Sequence, residues 1–224
     1  MILSIFGILK EYYPLLFKGL GVTLLLSAIT VIGGAIIGSF ICFLTMSKIK
    51  IVSFIGKAYV EVVRGVPLFL LLLLFYTSIN IDNVKFDKIF PASLALIINS
   101  GAYVAEIIRA GIQSVDKGQY EASRSLGMSR IATMIKVIIP QAIKNIIPAI
   151  GNEYVTIIKE TSLGATFYIG DLMTVQNMIS RVDFDILGSY IVVAAFYFIS
   201  TFSLSKLIGY IEREYKKRWL KLQI

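Results

Sequence analysis

Few side chains in this 224-residue sequence are equipped for chemistry. Histidine is absent and Cys42 is the one cysteine. That removes the commonest general base and metal ligand, excludes an internal disulfide and argues against a structural zinc site. What remains is a set of ionisable and amide groups inside apolar runs: Asn99, Glu106 and Arg109 in IINSGAYVAEIIR, and Glu153 in IIPAIGNEYVTIIK. A charge inside lipid is costly, so each such group is a functional hypothesis by default. The chemistry on offer is recognition: a carboxylate neutralises a cation, and an amide holds a carboxylate or an amine. Glu106 has a local explanation, because Arg109 stands three residues on along one helix face. Glu153 is different. Lys144 is two and a half turns away, and Lys159 is the competing partner. Glu153 also follows Pro148 and Gly151, and prolines in spans free backbone carbonyls in broken helices that line cavities. Asn99 and Glu153, with Tyr103 and Ser162, make the candidate pocket; for Asn99 a simple hydrogen bond between helices explains the residue equally well.

Lipid-embedded helices must position these groups. At 57% hydrophobic residues and a mean hydropathy of +0.80 the chain is too apolar for an ordinary soluble domain. Spans need roughly 20 residues of helix, and five candidates run from about 20 to 46, 54 to 79, 92 to 112, 137 to 158 and 187 to 210. The spacing of Gly34 and Gly38 in the first invites close approach of another helix. Ahead of it, residues 2 to 9 read as a short interfacial helix that is not cleaved, with Tyr12 and Tyr13 at headgroup depth. Most of the 22 basic residues, among them Lys48, Lys57, Arg64, Arg109, Arg124 and Arg130, fall on one side. The few opposite, such as Lys10, Lys85 and Lys88, face Asp82, Asp87, Asp171, Asp183 and Asp185. The positive-inside bias therefore puts the N-terminus outside and the C-terminus inside. The net charge of +8 serves orientation, not nucleic acid binding. The basic C-terminal stretch with Trp219 reads as an amphipathic anchor at the inner surface.

Between the third and fourth spans lies EASRSLGMSRIATMIKVIIP, amphipathic and partly basic, which cannot bury itself in lipid and must present a face to a soluble partner. Glu121, Ala122, Gly127, Val137, Ile139 and Pro140 in it resemble the coupling-loop signature of ABC-importer permeases, with Ser123 where a second alanine is usual. Residues 60–76, 97–112 and 138–164 and the opening GLGVTLLLSAITV are similar to the polar amino acid uptake branch of that family, the histidine- and glutamine-permease kind. Val66 stands where that branch usually has Thr.

The resemblance implies an all-α integral membrane protein of the type I importer permease fold, a single transmembrane domain over 1–224 with a short cytoplasmic coupling helix in a loop at about 117–136. It implies the contact residues Tyr120, Glu121, Ala122, Ser123, Ser125, Leu126 and Gly127 for the ATPase, with a helix opening near Tyr120, Glu121 favoured by the helix dipole and Gly127 at a turn with positive φ. It implies two cytoplasmic ATP-binding subunits, a second permease copy as homodimer or heterodimer, and an extracytoplasmic substrate-binding protein, at a bacterial plasma (inner) membrane. ATP and Mg²⁺ then bind the partners. No phosphate-cradling GxxxxGK[ST] occurs here, so no cofactor or metal is expected in this chain and it is not an enzyme. In the resembled family a Glu at the place of Glu153 goes with basic cargo, so the resemblance implies arginine, lysine or histidine; the alternative is neutral polar cargo such as glutamine or cystine. The segment 160–186 is expected to be a re-entrant external gate. An ion-coupled secondary transporter would need a second copy of the Pro148–Glu153 pattern, which is not found.

Overall fold

The computed structural model describes residues 2–79 and 88–221. Asp82, Lys85 and Asp87 of the charge count, and the side chain of Trp219, lie outside the described residues. Among the described residues four helices are long and apolar enough to cross a membrane, or five if one bent pair counts as a single span.

The first helix, α1, runs over Ile2–Thr45 without interruption. The separate interfacial helix expected at its start is therefore part of the first span, with Pro14 accommodated inside the helix. Its polarity is inverted relative to a water-soluble helix. Thr23, Ser27 and Thr30 are buried, as are Gly34 and Gly38, whereas Leu25, Ile29, Ile32, Ile36, Phe40 and Phe43 face outward. Hydrocarbon on the outside removes the drive to bury apolar groups, so small residues that let backbones meet take the inner face. That face lies on α4, Ile89–Gln113. A Cβ on Gly34 would come within 2.5 Å of the Ser100 hydroxyl, and one on Gly38 within 2.7 Å of Val104 Cβ.

The second span is broken. α2 (Lys50–Gly65) and α3 (Leu68–Ser78) meet at 101°. Val66 (φ −96°, ψ 131°) and Pro67 (φ −57°, ψ 133°) are both extended, as expected where proline clashes with a helical predecessor. α2 packs against α1 and α4: the Ser53 hydroxyl donates to Thr45 O at 2.8 Å, and the Tyr59 hydroxyl to Ile98 O at 2.7 Å. Two helices then lie between spans, α5 (Lys117–Ser125) and the single turn α6 (Arg130–Thr133). A π-helical turn over Met134–Ile138 leads into α7, Ile139–Glu160. The break expected at Pro148 and Gly151 is absent: α7 is continuous through both, and Gly151 instead admits Ile208 of the last helix at 2.9 Å from a notional Cβ.

Segment 160–186 is helical for most of its length and not a loop. A 3₁₀ turn over Thr161–Phe167 ends in left-handed Tyr168 (φ 54°); Gly170 (φ 82°) and Asp171 then start α8, Leu172–Asp183. The last helix, α9, covers Ile186–Lys221. The N-terminal part of α1 leans on α8 and α9 through Ile8, Leu16, Leu172, Val175, Ile179, Val192 and Val193, and the Tyr12 hydroxyl donates to Asp183 Oδ1 at 2.8 Å in an exposed hydrogen bond.

Candidate functional site

The middle of α4 meets α7 through a short polar contact. Glu153, half-buried, approaches the hydroxyl of Ser100 without completing a hydrogen bond of normal geometry. Ser100 is buried beneath Gly34. Asn99, next to it, is 4% exposed. Glu153 forms no ion pair among the described residues; its charged neighbour is Glu160, half-buried on the same face of α7, and Lys159, the expected competitor, stands beside Glu160 instead. Of the four expected pocket residues, Glu153 reaches α4 at Ser100, the residue after Asn99. Tyr103 lies one turn inward, its ring 5.1 Å beneath the Arg64 guanidinium. Ser162 does not join them: its hydroxyl donates to Lys159 O at 2.6 Å, and it lines a separate outer cavity of about 350 Å³ with Lys159, Met173, Tyr190, Val193, Ala194 and Tyr197.

Further towards the C-terminus of α4, the Arg109–Glu106 pair is as the spacing predicts. Arg109 Nε and Nη2 donate to the two carboxylate oxygens at 2.8 and 2.6 Å. Beyond the C-terminus of α7, Asp171 is fully buried and caps α8, accepting from Met173 N at 3.1 Å, Thr174 N at 3.2 Å and the Thr174 hydroxyl. Leu172 N donates to the Thr23 hydroxyl at 3.1 Å, binding α8 to α1. Desolvation pushes the Asp171 carboxyl above its ordinary range, against these donors. Among the described residues no group of three or more His, Cys, Asp or Glu is arranged to hold a metal ion.

The helix α5 begins earlier than expected. Asp116 is its N-cap, accepting from Gly118 N at 2.7 Å, so Glu121 sits in mid-helix and owes nothing to the helix dipole. Its C-terminus is a Schellman motif: Met128 N donates to Ser123 O at 3.2 Å and Gly127 N to Arg124 O at 3.0 Å, with Gly127 at φ 81°. Glu121, Ala122, Ser125, Leu126 and Gly127 are exposed, Leu126 at 84%. Tyr120 is half-buried over a cavity shared with Met134 and Ile138. Ser123 is turned inward, its hydroxyl donating to Gln119 O at 2.7 Å, and is not available to a partner.

Residues 34–217 match the family described as the binding-protein-dependent transport system inner membrane component. The chain belongs to this family. It is 35% identical to the probable glutamine ABC transporter permease protein GlnM of Bacillus subtilis (strain 168), over 95% of this chain and 99% of that one. It is 35% identical to the L-cystine transport system permease protein TcyB of the same organism, over 91% and 88%. Among solved structures, an amino acid ABC transporter with histidines superposes with a TM-score of 0.88 at 44% identity, over 92% of this chain and 96% of that one. The MetNI methionine ABC transporter superposes at 0.78 with 18% identity, a likeness of fold.

The chain is thus a multi-pass permease subunit of an amino acid ABC importer, a subunit that is not itself an enzyme and that works with ATP-binding partners and a substrate-binding protein. Sequence reasoning missed three features of this permease. Ser100 was hidden by its neighbour Asn99, although a small polar residue opposite Gly34 is the signal for it. Arg64 read as part of a charged inner stretch. Ile131 and Ile135, 73% and 59% exposed, extend the apolar surface near Leu126, and their i, i+4 spacing was the clue.

Proposed function

We propose that this permease is the translocation path of a bacterial plasma-membrane importer for polar amino acids, with neutral cargo of the glutamine type ahead of basic cargo. Two permease chains, identical or related, pair around a path bordered by α4 and α7. Two ATP-binding subunits dock on α5 and the Leu126–Ile135 surface, holding the ATP and Mg²⁺, while this chain carries no cofactor. A binding protein delivers cargo to the α8 side. ATP-driven closure of the motors pushes on α5 and rocks the spans about the Glu153 level.

The observation that carries this reading is Glu153: half-buried, beside Ser100, without an ion pair among the described residues. A carboxylate so placed supplies the counter-charge for the ammonium that every amino acid brings. The expectation of basic cargo gives way to its alternative because relatives alike over nearly their whole length are named for glutamine and cystine. Basic cargo is the second reading, favoured by Glu160, a second half-buried carboxylate on the same face of α7, and by the similar transporter solved with histidines.

The test is uptake into proteoliposomes holding the permease, its ATPase and its binding protein. Labelled glutamine should accumulate with ATP and be displaced by cystine more than by arginine, and Glu153→Gln should lower its uptake at least tenfold. Preferential arginine uptake selects the second reading. No ATP-driven uptake of any amino acid refutes both.

A further inference from the structure

The C-terminal parts of α1, α2 and α4 gather three cations and two carboxylates around a cavity of about 290 Å³ lined by Thr45, Lys57, Val60, Glu61, Arg64, Glu106 and Arg109. The ions are unequally matched. Arg109 is fully engaged, forking both oxygens of Glu106 and giving Nη1 to Gln113 Oε1 at 2.9 Å. Arg64 is held loosely. Its Nη1 stands 3.8 Å from Glu106 Oε2, beyond hydrogen-bond reach. Its guanidinium rests 5.1 Å from the centroid of the Tyr103 ring, and its side chain is 43% exposed towards the cavity. A guanidinium offers a planar fork suited to a carboxylate, and the nearest carboxylate already has such a fork from Arg109. Arg64 therefore keeps an open donor face.

We propose that Arg64 is a specificity-determining residue of the inward half of the path, taking the α-carboxylate of the cargo as its ammonium leaves Glu153. The inference rests on the reading of this chain as an amino acid path. Its geometric basis is the order along α4. Ser100 lies beside Glu153; Tyr103 and Glu106 follow at steps of three residues, each a rise of about 4.5 Å, and such residues are neighbours on a helix surface. Arg64 straddles the last two. A zwitterion moving inward passes from a level that favours its positive end to one that favours its negative end. Arg64 also sits at the last turn of α2, just before the bend at Val66 and Pro67, so a change in that angle moves the guanidinium relative to α4. Holding Glu106 at 3.8 Å leaves the fork free to exchange one carboxylate for another.

A purely structural role, with Arg64 tying α2 to α4 through Glu106, predicts different variants. The experiment measures retention of labelled glutamine by the permease–ATPase complex in nanodiscs with no binding protein, together with KM and kcat for uptake in the complete system. Arg64→Gln should weaken retention about tenfold or more and raise KM, and Arg64→Lys should lose less. Adding Glu106→Gln to Arg64→Gln should restore nothing. Glutaminamide, which lacks the carboxylate, should bind the wild type and Arg64→Gln alike. Undiminished retention in Arg64→Gln, or recovery in the double variant, overturns the role of Arg64 while leaving the amino acid reading intact. A wild-type complex that neither retains nor transports any amino acid overturns that reading first, and this one with it.

Discussion

Replacing Gly127 isolates what the C-terminal cap of α5 does. The residue stands at φ 81°, and a Cβ added there meets nothing within 4 Å. Alanine is therefore opposed by backbone conformation alone, at about 1–2 kcal/mol. That is a factor of about 5–30 in the local balance between capped and frayed ends. Asparagine visits the left-handed region more readily and should lose less. Fraying releases the bonds from Met128 N to Ser123 O and from Gly127 N to Arg124 O, which together orient the last turn and the exposed Leu126. Ser125 and Leu126 then leave the geometry a partner would meet. Gly127→Asp tolerates the same backbone but adds a charge to that surface. The assay is cargo-stimulated ATP hydrolysis by the assembled importer in nanodiscs, beside amide hydrogen exchange over 117–128. Exchange should quicken in the order Gly127, Gly127→Asn, Gly127→Ala. Coupled hydrolysis should fall in that order and vanish in Gly127→Asp, although the permease remains inserted. Alanine and asparagine variants of equal activity would refute the conformational argument, and normal coupled hydrolysis in Gly127→Asp would refute the docking assignment.

The seam between α1 and α4 should not tolerate bulk. Gly34→Leu meets Ser100 at once and should cost about 1–3 kcal/mol by overpacking, read as a lowered Tm in detergent, whereas Gly21→Ala, where a Cβ meets nothing within 4 Å, should leave Tm unchanged. Asp171 gives a pH signature with a definite sign. Burial raises its folded-state pKa above the ordinary value of 3.8, so its contribution is fully present below that value and is lost as pH rises through the raised one. The amide introduced by Asp171→Asn would keep an acceptor for the Met173 and Thr174 N–H groups without titrating. Wild type should therefore gain Tm relative to that variant as pH falls from neutral; parallel Tm curves would refute this.

Much of this architecture was legible because lipid imposes it. Long apolar runs must be helices where no water satisfies the backbone, so the third, fourth and fifth spans fall where composition places them. The Gly34–Gly38 spacing marked a close helix contact, though not that α4 would be its partner, and the i, i+3 spacing of Glu106 and Arg109 named their pair. The break was misplaced because proline alone does not decide it. At Pro148 the neighbouring residues stay helical, whereas at Pro67 a β-branched Val66, itself preceded by Gly65, takes the extended conformation proline favours before it. Ser162 was misassigned because nothing in TSLGATF announces a 3₁₀ turn, which redirects side chains relative to the α7 face. Ser123 escaped because a serine bonded to the carbonyl four residues back is indistinguishable in sequence from one facing solvent. The expected onset of α5 overlooked Asp116, a residue type that favours N-caps.

At Gly34 and Gly38 the backbones of α1 and α4 come so near that the two helices act as a single stave. Sliding one along the other would drive Ser100 and Val104 into main chain, with no side chain in between to yield. Reorientation of the barrel must then be absorbed at other joints. The elbow between α2 and α3 is the obvious one, since the ladder that ends with Val66 N on Val62 O is interrupted at Pro67, which has no N–H to continue it. The stave thus supplies the fixed frame from which the moving parts take their bearing.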